Sequence, residues 1–210
     1  YIIGNYAAKS PELWKINCPI FIRSIGMEGG MGPVAGSSHH GIAYRMPGVK
    51  ICSPMTSREY TEVYNTFMED NCPYYVSEHR ASHSFSEALL DTEVEEPDWV
   101  LFPYSVTRFS AEEAAKERGR VSVYHQVWIR PLGISDRQIQ KLKESKYGGV
   151  VIDGDYPNGI AKQIAHDLML KSGKKVYVLA LKEITAGFQP HNDNLPPNKN
   201  DILDFLKINE

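Results

Sequence analysis

Short β-rich runs alternate with helical patterns along this chain, and that alternation restricts it to an α/β fold built on parallel sheets. "CPIFIRS" at 18–24 and "GVKICSP" at 48–54 are strand candidates, the second stopped by Pro54. Thr56 followed by Glu59 makes a capping-box pattern, and Tyr60, Val63, Tyr64, Phe67 and Met68 then recur at helical spacing. "PYYVSE" at 73–78 predicts the next strand. Residues 82–97, "SHSFSEALLDTEVEEP", are acidic and poor in β-formers, and read as a linker with at most one helical turn.

A second alternating series follows the linker. "DWVLFPYS" predicts a strand, and "SAEEAAKERG" a helix capped by Ser110 and stopped by Gly119. "VSVYHQVWI" predicts one strand broken at Pro131, and "SDRQIQKLKESK" a helix capped by Ser135. "GGVVIDGD" is short and continuously apolar, the pattern of a strand buried on both faces. "NGIAKQIAHDLMLKSG" predicts a helix with Ile160, Ala161, Ile164 and Leu168 inward, and "KKVYVLALKE" a final strand. A Pro/Asn-rich loop and a last helical turn or two, "DILDFLKI", close the chain. The expected organisation is two α/β domains, 1–81 and 98–210, joined by 82–97.

Composition narrows the function classes. An apolar share of 42% and a charged share of 23% fit a globular protein. A net charge of -3 gives no support for nucleic-acid or membrane-surface binding. No apolar run approaches the ~20 residues of a membrane helix. Cys18, Cys52 and Cys72 are far apart, with no CxxC, which points to free thiols in a reducing compartment. The opening "YIIGNYAAK" has no Met and no helix start signal, and suggests a processed or truncated chain.

Open parallel sheets hold ligands at the carboxyl ends of their strands. "SIGMEGGMGPVAGSSHH" follows the first strand candidate, so its glycines and its paired His39 and His40 fall where a site is expected. Gly30 and Gly32 are candidates to bring backbone amides to an anion. His39 and His40 are candidates for proton relay or substrate orientation. Arg23, ending that strand, can bind a carboxylate or pair with a nearby acid. His79, Arg80 and His83 form a further cluster, but their spacing is not that of a metal site. His125 and His166 read as structural. Asp153 and Asp155 occupy the equivalent strand end in the second series and also read as structural.

Several of these stretches, in order, resemble the beta subunit of the thiamine-diphosphate-dependent 2-oxoacid dehydrogenase component, in the transketolase superfamily. They are "NYAAK", "CPIFIR", "GPVAGSSHH", "MPGVKICSP", "MEDNCPYYVSE", "VWIRPLGI" and "VVIDGDYPNGIAKQIAHDL". The resemblance implies a partial pyrimidine-binding domain over 1–81 and a transketolase C-terminal-like domain over 98–210. It implies thiamine diphosphate and Mg2+, bound mainly by a missing segment or an alpha-type partner. The cofactor's ylid would then attack a 2-oxoacid. Phe67, Met68, Asp70 and Cys72 match the place where these subunits bind K+ through backbone carbonyls. The resemblance further implies a homodimer or heterotetramer in the cytoplasm or mitochondrial matrix. His39 sits where transketolases carry a histidine, so a part of a transketolase acting on sugar phosphates is the alternative. A non-catalytic dimerisation module is the third.

Overall fold

The computed structural model describes residues 2–26, 40–86, 88–184 and 194–210. Its strands are β1 (Phe21–Gly26), β2 (Lys50–Cys52), β3 (Tyr74–His79), β4 (Trp99–Pro103), β5 (Val121–Val123), β6 (Trp128–Arg130), β7 (Gly148–Ile152) and β8 (Val176–Leu179). Its α-helices are α1 (Ser10–Trp14), α2 (His40–Tyr44), α3 (Ser57–Met68), α4 (Thr107–Arg118), α5 (Asp136–Glu144), α6 (Ala161–Ser172) and α7 (Lys199–Ile208). A π-turn at Ile3–Ala7 and a 3-10 turn at Arg80–Ser84 complete the described elements.

The strands form two four-stranded sheets, ordered β1-β3-β2-β6 and β5-β4-β7-β8. All pairings are parallel except β2 with β6. The second sheet is the middle of a three-layer sandwich. Alternate residues of β4 face opposite ways: Trp99 and Leu101 pack with α4 and α7, while Val100 and Phe102 pack with α5 and α6. The apolar run "GGVVI" is β7, buried throughout between β4 and β8. Gly148 is obligatory there, since its φ is +109° and a Cβ would lie 2.1 Å from the Lys175 carbonyl oxygen.

The first sheet packs α3 on one face through Cys52, Val63, Tyr74 and Val76. Its other side shares a single core with the second unit: Ala43, Val49 and Ile51 join Phe102, Tyr104, Ile160 and Ile164. The inward set expected for the helix after "DGDYPNG", namely Ile160, Ala161, Ile164 and Leu168, is buried.

Three local expectations change. "VSVYHQVWI" is two strands in different sheets: after β5 the chain turns away, and β6 adds antiparallel to β2 with Ile51 opposite Arg130. Arg130 then donates to the Met46 carbonyl at 3.0 Å and lies over the Tyr44 ring, so the second half of the chain closes the edge of the first sheet. Ser110 does not cap α4. The helix begins at Thr107, whose hydroxyl donates to the Tyr104 carbonyl at 2.6 Å. Met68, four residues after the partly exposed Tyr64, is 78% exposed at the last turn of α3, off the face that buries Val63. Ser135 caps α5 as expected, in a full box with Gln138.

Candidate functional site

The carboxyl ends of β1 and β3 lie side by side, with Gly26 opposite His79. Gly30, Gly32 and His39 lie outside the described residues. His40 is described, and it opens α2. Its side chain is completely buried. Nδ1 lies 3.3 Å from Ser77 Oγ on β3, and Nε2 lies 3.0 Å from Asp153 Oδ2 in the turn after β7. Asp155 Oδ2 is 3.9 Å from the same Nε2 and accepts the Gly41 amide at 3.0 Å. Each ring nitrogen is therefore held by a different unit.

Burial disfavours a charged imidazole. The Asp153 carboxylate, by charge and hydrogen bond, and Asp155, by charge, outweigh it and raise the His40 pKa above its ordinary value. Burial also raises the Asp155 carboxyl, against the pull of His40 and with the like charge of Asp153 adding. The approach at Gly41 is close: a Cβ there would meet Asp155 Oδ2 at 2.8 Å and Gly159 Cα at 3.3 Å, so the Asp155 carboxylate would have to shift.

Arg23 lies on β1 with its side chain 50% exposed, and it pairs with the fully buried Glu78 through Nε at 2.5 Å and Nη2 at 2.8 Å. The hydrogen bond and charge of Glu78 carry the guanidinium pKa above its usual range. Arg23 does not end its strand as expected: β1 runs on to Gly26 and Arg23 lies opposite Val76 in mid-strand, where the Glu78 pairing orients its guanidinium and leaves half of the side chain accessible. His83 Nε2 is 3.7 Å from the same Glu78 carboxylate. His79 accepts the Ala81 amide through Nδ1 at 3.2 Å, holding the 3-10 turn.

The 67–72 stretch lies at the opposite end of β3. Asp70 Oδ1 accepts the Asn71 and Cys72 amides at 2.7 and 3.2 Å, and Oδ2 accepts the Tyr74 hydroxyl at 2.7 Å and the Lys50 ammonium. Burial works against this charge, but Lys50, Tyr74, the Asn71 amide and the Cys72 side chain hold the Asp70 carboxyl well below the usual carboxylate range. The Phe67 carbonyl takes the Asp70 amide at 3.0 Å, and the Met68 side chain points into solvent.

A second buried cross-unit contact had no local signature. Glu59 was half of a capping-box pattern, and Thr56 Oγ1 does accept its amide at 3.4 Å. Its carboxylate instead takes the Met55 amide at 2.8 Å and grips Arg108 of α4 bidentately at 2.8 and 2.5 Å. Beside this pair His125 bonds Glu112 at 3.3 Å through Nε2. Burial, with the Arg108 charge adding, depresses the His125 pKa to about 4. The sequence signals Glu59 only as a cap, and nothing near Arg108 in the chain announces its partner.

The acids at the strand ends are committed to protein partners, Glu78 to Arg23, Asp153 to His40 and Asp155 to Gly41. Among the described residues no group of three or more His, Cys, Asp or Glu is placed to hold a metal ion. Committed in this way, Glu78, Asp153 and Asp155 are not placed as ligands for the magnesium of a bound diphosphate. No described helix is long and apolar enough to cross a membrane.

Two such sheets, one parallel and one mixed, joined through one core, make an α/β fold that comparison with solved structures matches to a transketolase-like fold. No protein-family model matches the chain, and no curated protein matches it. A solved structure described as "Split gene transketolase, inactive beta4 tetramer" matches with a TM-score of 0.69 and 13% identity, over 97% of this chain and 74% of its own. At that identity the likeness is one of fold. It is to a transketolase, and it does not single out the 2-oxoacid dehydrogenase beta subunit.

Proposed function

We propose that this chain is the beta-type part of a thiamine-diphosphate-dependent enzyme of the transketolase type, active only with an alpha-type partner. The observation that carries the proposal is the likeness, over nearly the whole chain, to the beta chain of a split-gene transketolase whose tetramer is described as inactive. The commitment of Glu78, Asp153 and Asp155 to protein partners supports assigning the diphosphate and its Mg2+ to the partner. In this reading Arg23, half exposed and braced by Glu78, recognises the phosphate or carboxylate of the substrate. Gly30, Gly32 and His39 are assigned to cofactor contact, and His40, buried between Ser77 and Asp153, is a positioning residue. The substrate is a sugar phosphate and the reaction transfers a two-carbon ketol unit.

Oxidative decarboxylation of a 2-oxoacid is the second reading, favoured by the ordered motifs "CPIFIR", "MPGVKICSP" and "DNCPYYVSE". K+ on the carbonyls of Phe67, Met68, Asp70 and Cys72 belongs to this reading. There it competes with the Lys50 ammonium already seated on Asp70.

The test combines the purified chain with candidate alpha-type partners, thiamine diphosphate and Mg2+, and assays ketol transfer and 2-oxoacid decarboxylation in parallel. Ketol transfer that requires both chains and falls at least about tenfold in Arg23→Ala is expected. Decarboxylation without ketol transfer favours the second reading. Tight assembly with neither activity makes the chain a dimerisation module and ends both.

A further inference from the structure

The order β5-β4-β7-β8 places a topological switch between β4 and β7, because β4 connects to β5 on one side and has β7 on the other. The crevice outside the carboxyl ends of such a strand pair is where open α/β sheets bind their ligands. Here Tyr104 follows β4 and Asp153 follows β7. The crevice is filled from within the chain: the His40 imidazole of the first unit enters it and bonds Asp153, and the next residue bonds Asp155. We propose that the first unit docks into the second sheet's switch-point crevice as an internal ligand, and that His40 with Asp153 and Asp155 forms a proton-dependent clamp between the two units.

The chemistry follows from the geometry. With His40 protonated, one positive charge lies between two carboxylates in a site closed to water, and Nδ1 and Nε2 both donate, to Ser77 Oγ and Asp153. A neutral His40 keeps the Nε2–H bond to Asp153 and turns Nδ1 into an acceptor for the Ser77 hydroxyl. Both hydrogen bonds survive, but two buried carboxylates are left without their cation, and that repulsion falls on the turn holding Gly41. The groups acting on the cluster are Asp153 and Asp155 from the turn after β7. The Tyr104 phenol after β4 and the Tyr75 phenol of β3 feel those carboxylates, and among the described residues no other charged group acts on His40.

The sign is the same for both titrating groups. His40 and Asp155 have raised pKa values in the fold, so each binds its proton more tightly folded than unfolded. The His40 contribution is fully present below its unfolded pKa of about 6.5 and is lost as pH rises through the folded value. The Asp155 contribution is fully present below about 3.9 and is lost over a lower range. The clamp therefore loosens toward alkaline pH. The Glu59–Arg108 contact, which joins the same two units without either of these groups, serves as the internal reference.

Amide hydrogen exchange on the full chain at pH 6 and pH 9, corrected for intrinsic rates, tests this. Gly41 protection is expected to fall by about tenfold or more between the two while β7 amides hold. His40→Gln, which keeps a donor and loses the titration, is expected to abolish the difference. Equal Gly41 protection at both pH values, or a His40→Gln variant with the wild-type difference, overturns the clamp. Should that variant not fold, imidazole NMR of the wild-type chain decides: a His40 midpoint above 6.5 supports the clamp, and one at or below it defeats it. No cofactor or partner enters the measurement, so its failure leaves the proposed enzymatic function standing.

Discussion

His40 and Gly41 show how two adjacent residues of a glycine-rich stretch acquire different duties. His40 supplies charge and hydrogen bonds across the unit boundary, and Gly41 supplies the absence of a side chain that lets Asp155 reach the backbone. Replacing Gly41 with Ala drives a Cβ against Asp155 Oδ2 and the Gly159 backbone. Urea denaturation of Gly41→Ala is expected to show a loss of about 1–3 kcal/mol, the range for inserting an atom into a packed site. Gly133→Ala is the control: its Cβ meets only Trp128 Cβ at an ordinary 3.6 Å, so a change within about 0.5 kcal/mol is expected. Equal losses in the two variants would mean that the close approach at Gly41 carries no energy.

At the scale of elements, α3 and α4 are joined by Glu59 and Arg108, with the Arg108 side chain almost wholly buried. Removing one member leaves a charge without a partner in the interior. Glu59→Leu or Arg108→Met alone is expected to cost about 3–5 kcal/mol, whereas the double variant, which removes both charges, should recover much of that loss. Chemical denaturation of the four proteins of the cycle measures it, and additive losses would refute the pairing. The elements themselves were largely legible. Ser135 with Gln138, the run "GGVVI" and the inward face of α6 follow from capping chemistry and periodicity, which act over a few residues. β6 was not legible as a separate strand. Its residues are as β-prone as those of β5, and only the open edge of β2 decides that they pair there.

For the whole molecule, the two cross-unit contacts respond to pH in opposite directions. Burial opposes the Glu59 charge, but Arg108 lowers its pKa, so its contribution is present above the unfolded value of about 4.3 and lost as pH falls. His125 is held neutral by burial and by Arg108, so its contribution is present above about 6.5 and lost as pH falls toward its folded value of about 4. His40 and Asp155 weaken the fold on the alkaline side instead. Thermal denaturation across pH 4 to 9 is expected to show a maximum near neutrality. His125→Gln should flatten the limb between 6.5 and 4 and leave the alkaline limb intact; an unchanged acid limb would remove His125 from this account.

By itself the sequence determined the α/β alternation, the starts of α3 and α5 and the buried central strand. Each of these is set by propensity, capping or periodicity between neighbours in the chain. The tertiary structure alone decided that His40 meets Asp153 across 113 residues, that Glu59 meets Arg108 across 49, and that β6 leaves its neighbour for the first sheet. The physical reason is common to all three. A buried charge or an unpaired strand edge must find its complement somewhere in space, and local chemistry states that need without naming the residue that meets it.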